Sequence, residues 1–135
     1  MRARQATWAL VTAGLLAAVA EGPNPARADD VPHYRLTATA LACFVAHREV
    51  YKAASGEPVF LLANSCPPKR PPSLLDALTN EGPNVRLADP DALDRMVTLN
   101  RAQLACLDRL SVAASDSVVL FYPDACRVEP APPRP

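Results

Sequence analysis

Apolar residues in the segment 40–54 recur at steps of three and four, which is the spacing of one face of an α-helix. Thr37 precedes the pattern and is a residue type that caps helices, while Gly56 and Pro58 follow it as stop signals. The pattern therefore predicts an amphipathic helix between Thr37 and Gly56. The residues on its apolar face are Ala40, Cys43, Phe44, His47, Val50, Tyr51 and Ala54.

A second, shorter apolar face occurs later in the chain, at Leu104, Cys106, Leu107 and Leu110. Asn100 stands at its start with Gln103 three residues on, which is capping-box spacing. The segment therefore predicts a second helix that begins after Asn100.

Each predicted helix lies between two short apolar segments. Residues 59–63 and 118–122 are apolar at consecutive positions, as in strands that are buried on both faces. Residues 33–36 and 96–99 precede the helices and predict two further strands. Each half of the chain is therefore expected to have the order strand, helix, strand.

The two halves also resemble each other in sequence. Nine positions are identical between them when one three-residue deletion is allowed in the second half. At an offset of 63 these are Leu36, Leu41, Ala42 and Cys43, and at an offset of 60 they are Ala53, Ala54, Ser55, Val59 and Cys66. We expect an α+β fold in which two pseudo-repeated strand-helix-strand units, about 31–66 and 94–126, pack in one small disulfide-stapled domain. Helical crossovers of this length favour parallel strands that share one sheet.

Two alternative structures stay open. In one, residues 42–52 form a hairpin with 58–66, although the clean helical period favours the helix. In the other, Asp89 caps a helix that runs through 90–110, and the second unit loses its first strand.

Prolines mark the connection between the units and the end of the chain. Residues 67–72 read Pro-Pro-Lys-Arg-Pro-Pro and open a Pro-rich linker, 67–93, in which Ser73 caps a short helix. The segment is expected to be a stiff connection, and the alternative is that its Pro-x-x-Pro spacing docks on a partner. The Pro-rich tail 129–135 is predicted to be disordered.

Residues 1–28 have the pattern of a cleaved signal peptide. Arg2 and Arg4 are followed by an uncharged apolar run over 6–20, and Ala26-Arg27-Ala28 fits a signal-peptidase site. A run of 15 residues is shorter than the about 20 that span a membrane. We therefore expect cleavage near Ala28, a periplasmic or secreted protein with no membrane anchor in the mature chain, and a single globular domain over 29–128.

Charge excludes one class of partner. The chain has 14 basic and 14 acidic residues, and loss of the first 28 residues leaves 11 and 13. Such a balance provides no basic field for nucleic acid.

The four cysteines, Cys43, Cys66, Cys106 and Cys126, all lie in the predicted mature chain. An even number of cysteines in a small exported chain predicts two disulfides. The pairs Cys43–Cys66 and Cys106–Cys126 are the simplest solution, but the repeat is compatible with all three possible pairings. A zinc site or a thiol-redox site is disfavoured because no Cys-x-x-Cys pair is present.

Candidate catalytic chemistry is sparse. His47 is the one possible functional side chain, as a general base, but its place on the apolar helix face suits a partly buried histidine equally well. Phosphate-binding, dinucleotide-binding, zinc-protease and nucleophile-elbow patterns are absent from the sequence, and no metal or other cofactor is expected.

The sequence therefore predicts a small exported, disulfide-stabilised binding module without enzymatic activity. Its partner would be an unknown envelope protein or small ligand. The binding surface would be an exposed sheet edge, the linker or the groove between units. The alternative is a small periplasmic, hydrolase-like enzyme that uses His47.

Overall fold

The computed structural model describes residues 31–81, 89 and 91–133, so the predicted signal peptide lies outside the described residues. The strands of this part of the chain are β1 (Tyr34–Thr37), β2 (Val59–Leu62), β3 (Met96–Leu99), β4 (Val118–Tyr122) and β5 (Arg127–Pro130). The helices are α1 (Ala38–Ala46), α2 (Arg48–Lys52), α3 (Leu74–Asp76) and α4 (Arg101–Leu104). Shorter helical turns lie at Ala63–Ser65, Ala77–Glu81 and Ala105–Asp108. The protein is a small α+β domain with two disulfides.

Both predicted helix starts are confirmed. The Thr37 hydroxyl accepts a hydrogen bond from the Ala40 N–H at 3.1 Å. The Asn100 side chain accepts from the Gln103 N–H at 2.8 Å, and the Gln103 side chain accepts from the Asn100 N–H at 2.9 Å. These contacts satisfy N–H groups that have no partner within a helix, and they fix where each strand becomes a helix.

The first helix is broken at His47, where the sequence predicts one continuous element. α1 ends at Ala46, the His47 N–H donates to the Cys43 carbonyl, and α2 starts at Arg48. The face that enters the core is centred on Leu41, Phe44 and Tyr51. The hairpin alternative for 42–52 is wrong, because these residues are helical apart from the turn at His47.

The predicted parallel pairing in one sheet is also wrong. The strands pair antiparallel. β1 pairs with β4 and β2 pairs with β3, both across the two halves, and β5 adds to β4. This gives a three-stranded sheet, β1-β4-β5, and a two-stranded sheet, β2-β3. The consecutive apolar residues of β2 and β4 misled the prediction, because antiparallel strands can carry such residues as well as parallel ones.

One apolar core is shared by both halves. Its buried residues are Leu36, Leu41, Phe44, Tyr51, Val59, Leu61, Val97, Leu99, Leu104, Cys106, Leu107 and Phe121. Phe44 and Tyr51 meet edge to face with ring centroids 5.9 Å apart. Because each sheet takes strands from both halves, neither sheet is complete within one half.

The two disulfides close short loops at the margin of this core. Cys43 is bonded to Cys66 and Cys106 to Cys126, with Cα–Cα distances of 6.1 and 5.4 Å. The pairing within each half, which the sequence favoured, is thereby confirmed. Each bond ties a helical segment to the residues that follow the next strand.

Two predictions about the ends of elements need correction. Met96–Leu99 is a strand, so a continuous helix over 90–110 is wrong. The predicted disordered tail overlaps β5, which includes Glu129 and Pro130, and the Ala131 N–H donates to the Val118 carbonyl at 3.0 Å. Pro130 is tolerated because it lies opposite Val119, at a position whose backbone faces away from β4.

In the part of the chain that the structure describes, no helix is both long enough and apolar enough to cross a membrane.

Candidate functional site: the open edge of strand β2

His47 lies half-buried at the junction of α1 and α2. Among the described residues its imidazole has no hydrogen-bond partner, so no carboxylate orients it and no hydroxyl is placed for it to activate. A general base needs such a partner or a substrate proton within hydrogen-bond reach. Within the described residues, His47 thus has no fixed hydrogen-bond partner of the kind a general base uses.

The four cysteines are all bonded and are structural in this fold. The Tyr51 hydroxyl lies 3.6 Å from the Cys66 sulfur, and burial raises the pKa of this phenol well above its usual range. Tyr51 thus supports the first disulfide from the core side and stays protonated.

The contacts of one side chain, Tyr34, show which residues of the sheet β2-β3 direct their backbone N–H and carbonyl groups outward. The Tyr34 hydroxyl accepts from the Thr98 N–H at 3.2 Å and donates to the Thr98 carbonyl at 2.8 Å. Both backbone groups of Thr98 therefore face away from β2. Since Thr98 lies opposite Phe60, Phe60 must also direct its N–H and carbonyl away from β3.

The same alternation places the Leu62 backbone on the outer edge of β2. The ladder to β3 runs through Val59 and Leu61, and it continues at Ala63, whose N–H donates to the Arg95 carbonyl at 2.8 Å. Among the described residues, the Phe60 N–H and carbonyl and the Leu62 N–H have no hydrogen-bond partner, whereas the Leu62 carbonyl opens the helical turn Ala63–Ser65. The edge of β2 therefore offers two donors and one acceptor.

Two clefts lie along this edge. The proline cleft, of about 370 Å³, is lined by Leu62, Cys66 and residues 67–70. The loop cleft, of about 470 Å³, is lined by Phe60, Pro71, Leu74 and the loop 54–58. Pro72 lines both clefts, so they lie next to each other between β2 and the Pro-rich segment.

Exposed leucines extend the apolar surface beside the loop cleft. Leu74, Leu75 and Leu78 are 58%, 69% and 61% exposed on the short helix that follows the prolines. Ser73 and Asp76 form a capping box that holds the start of this helix. Contiguous exposed apolar residues of this kind mark interaction surfaces more often than isolated ones do.

The proline cleft is cationic at its rim. Arg70 is neutralised by a two-point ion pair with Asp76, at 2.8 and 2.9 Å. The Arg70 guanidinium, followed by hydrogen bonds from Ser73, holds the pKa of the Asp76 carboxyl well below its usual range. Lys69 is exposed and has no ion-pair partner among the described residues, so it remains free to attract an anionic group.

Other polar clusters on the described surface are structural. Arg48 and Lys52 of α2 both bind Asp108, at 2.9 and 2.6 Å, and thereby link the two halves. The Lys52 hydrogen bond, the largest contribution, lowers the pKa of Asp108, and the Asp108 hydrogen bond raises that of Lys52. In the three-stranded sheet, the Arg127 guanidinium lies 4.4 Å from the centre of the Tyr122 ring and thereby covers one face of that ring.

The sequence named both components of the site, a sheet edge and the linker, but it did not place them together. The residues after the second cysteine of each half carry the missing signal. Cys126 is followed by Arg127-Val128-Glu129, which forms β5, whereas Cys66 is followed by Pro67-Pro68. Proline has no N–H for a strand ladder, so the first half cannot cover its own edge in this way.

The chain matches no protein-family model, no curated protein and no solved structure.

Proposed function

We propose that this protein is an exported binding module that holds a partner polypeptide along the outer edge of β2. The observation that carries the proposal is the unpartnered backbone of Phe60 and N–H of Leu62, beside two clefts that share Pro72. An edge with free backbone groups is a template for another chain. Apolar walls and a free cation, Lys69, would add side-chain selectivity.

Export is the second part of the proposal. Its support is the signal-peptide pattern of residues 1–28 and the two disulfides, which are compatible with a periplasmic or extracellular location. Small domains in such compartments gain stability from disulfides. The partner is accordingly expected in the cell envelope or outside the cell.

We also propose that the two halves arose as copies of one unit. The sequence offsets relate Leu36 to Leu99 and Val119 to Val59. Leu36 lies opposite Val119 in one sheet, and Leu99 lies opposite Val59 in the other. If each residue is replaced by its counterpart in the other half, the pairing of β1 with β4 becomes the pairing of β3 with β2 in the same register. The Cys43–Cys66 bond likewise becomes the Cys106–Cys126 bond.

A screen for binding tests the function. The full chain would be exported in a bacterial host, immobilised, and offered a phage-displayed library of linear twelve-residue peptides. Leu74→Asp, beside the loop cleft, is the test variant, and Leu93→Asp, at another exposed leucine, is the matched control.

We expect enriched peptides to bind the parent and Leu93→Asp alike and to bind Leu74→Asp at least about tenfold more weakly. Absence of any enriched peptide for a monomeric protein, or equal binding to all three proteins, would refute a polypeptide-binding module at this edge.

A further inference from the structure

Resting on the proposed function, we infer that the partner adds to β2 as an antiparallel strand, paired through Phe60 and Leu62, and that it places a carboxylate beside Lys69. The inference concerns the mode of binding and the chemistry of the partner. It takes its geometry from the other half of the same molecule.

Strand β5 shows what occupies this position beside β4. β5 runs antiparallel to β4, with Glu129 opposite Leu120 and Arg127 opposite Tyr122. The bond from the Ala131 N–H to the Val118 carbonyl shows that Val118, Leu120 and Tyr122 direct their backbone groups toward β5. A strand thus pairs with alternate residues of β4.

The sequence offset of 60 carries this geometry to β2. Leu120 and Tyr122 correspond to Phe60 and Leu62, which are the two residues with unpartnered backbone groups. The place that β5 fills beside β4 therefore corresponds to the open edge of β2. An incoming strand that follows the same pattern forms up to three main-chain hydrogen bonds, with the Phe60 N–H and carbonyl and with the Leu62 N–H.

The chain itself does not supply this strand in the described residues. The segment that corresponds to β5 begins with Pro67 and Pro68, and it turns away to line the proline cleft. Pro71 and Pro72 continue along the loop cleft without a backbone N–H. The strand must accordingly come from another polypeptide.

Charge and direction set the chemistry of that polypeptide. β2 runs from Phe60 at the loop cleft to Leu62 at the proline cleft. An antiparallel partner therefore enters at the proline cleft, and its N-terminal part passes Lys69. An Asp or Glu side chain there meets a free ammonium group, whereas a basic residue is repelled.

Peptides selected in the screen above, resynthesised, test the binding mode. Each backbone nitrogen is methylated in turn, which removes one hydrogen-bond donor. Strand addition predicts that methylation of one nitrogen, the one that donates to the Phe60 carbonyl, weakens binding by about tenfold or more, while the positions on either side of it tolerate methylation. Amide hydrogen exchange of the protein is the second measurement, and bound peptide should slow exchange at the amides of Phe60 and Leu62.

Charge is tested on the same peptides. Lys69→Glu is expected to weaken the binding of acidic peptides by about tenfold. Arg109→Glu, at another exposed cation without an ion-pair partner in the described chain, should leave their binding unchanged. Equal effects of the two variants would overturn the carboxylate assignment.

Two results would overturn strand addition while the binding module stands. One is that peptides bind but the methylation scan shows no single sensitive nitrogen, and amide exchange at Phe60 and Leu62 does not change. The other is a dimer in sedimentation that Leu74→Asp dissolves and no peptide displaces, because a second copy would then be the occupant. A lack of peptide binding in a monomer would refute the proposed function itself.

Discussion

The hydroxyl of Tyr34 in β1 bonds both backbone groups of Thr98 in β3, and it thereby joins the two sheets. Its distances of 2.8 and 3.2 Å to the carbonyl and the N–H are those of good hydrogen bonds. This side chain closes the outer edge of β3 at Thr98. The opposite edge of the same sheet, along β2, has no such cover among the described residues.

Replacement of Tyr34 measures how much its bonds to Thr98 contribute to the free energy of unfolding. Tyr34→Phe leaves the part-buried N–H and carbonyl of Thr98 without their partner, which should lower the free energy of unfolding by about 1–3 kcal/mol. Denaturant unfolding gives the value. Tyr122→Phe is the matched control, because among the described residues that hydroxyl has no hydrogen-bond partner. Equal losses in both variants would show that the link between the sheets contributes nothing.

The free protein should show the open edge in amide hydrogen exchange. Val59 and Leu61 are bonded to β3, whereas the amides of Phe60 and Leu62 have no partner among the described residues. We therefore expect alternating slow and fast exchange along β2, measured by NMR. In β4, where both edges are covered by neighbouring strands, exchange should be slow at consecutive residues. Uniform protection along β2 would mean that its edge is already occupied.

The ion pairs of Asp108 predict how stability depends on pH. Lys52 and Arg48 lower the pKa of this carboxyl in the folded state. Its contribution is therefore fully present above the unfolded pKa, about 3.9, and is lost as the pH falls through the folded value. Asp108→Asn should remove this part of the acid destabilisation. Asp116→Asn, which changes an exposed carboxylate, is the control, and equal pH profiles for both variants would contradict the assignment.

The sequence predicted local structure better than it predicted which strands pair with each other. Thr37 and Asn100 marked helix starts because a cap acts within three residues, and the spacing of the cysteines suited a bond inside each half. Strand pairing depends on residues far apart in the chain, so the consecutive apolar residues of β2 did not reveal an antiparallel partner. The break at His47 was hidden because the apolar period continues through it.

The candidate site was predictable only in its components. Pro67 and Pro68 do not distinguish a linker from the wall of a cleft until β2 is known to lie beside them. Equally, Phe60 gave no sign in the sequence that its backbone faces outward, because this depends on Thr98 and Tyr34. His47 attracted notice because histidine is rare in this chain, and the fold brings no hydrogen-bonding group to it within the described residues.

The pairing across halves predicts that a cut chain stays assembled. Both sheets join strands from the two halves, Asp108 binds Lys52 across the boundary, and each disulfide stays within one half. A specific protease site inserted between residues 84 and 85 would separate the halves covalently after folding. We expect the fragments to elute together under non-reducing conditions with an unchanged circular dichroism spectrum. Each fragment produced alone should be unfolded, since β1, β2 and β3 lack their partners and the second fragment keeps only the two-stranded β4-β5 hairpin. A chain with the same site after Pro135 controls for protease treatment. Separation of the fragments without denaturant would show that the contacts between the halves do not hold the domain together.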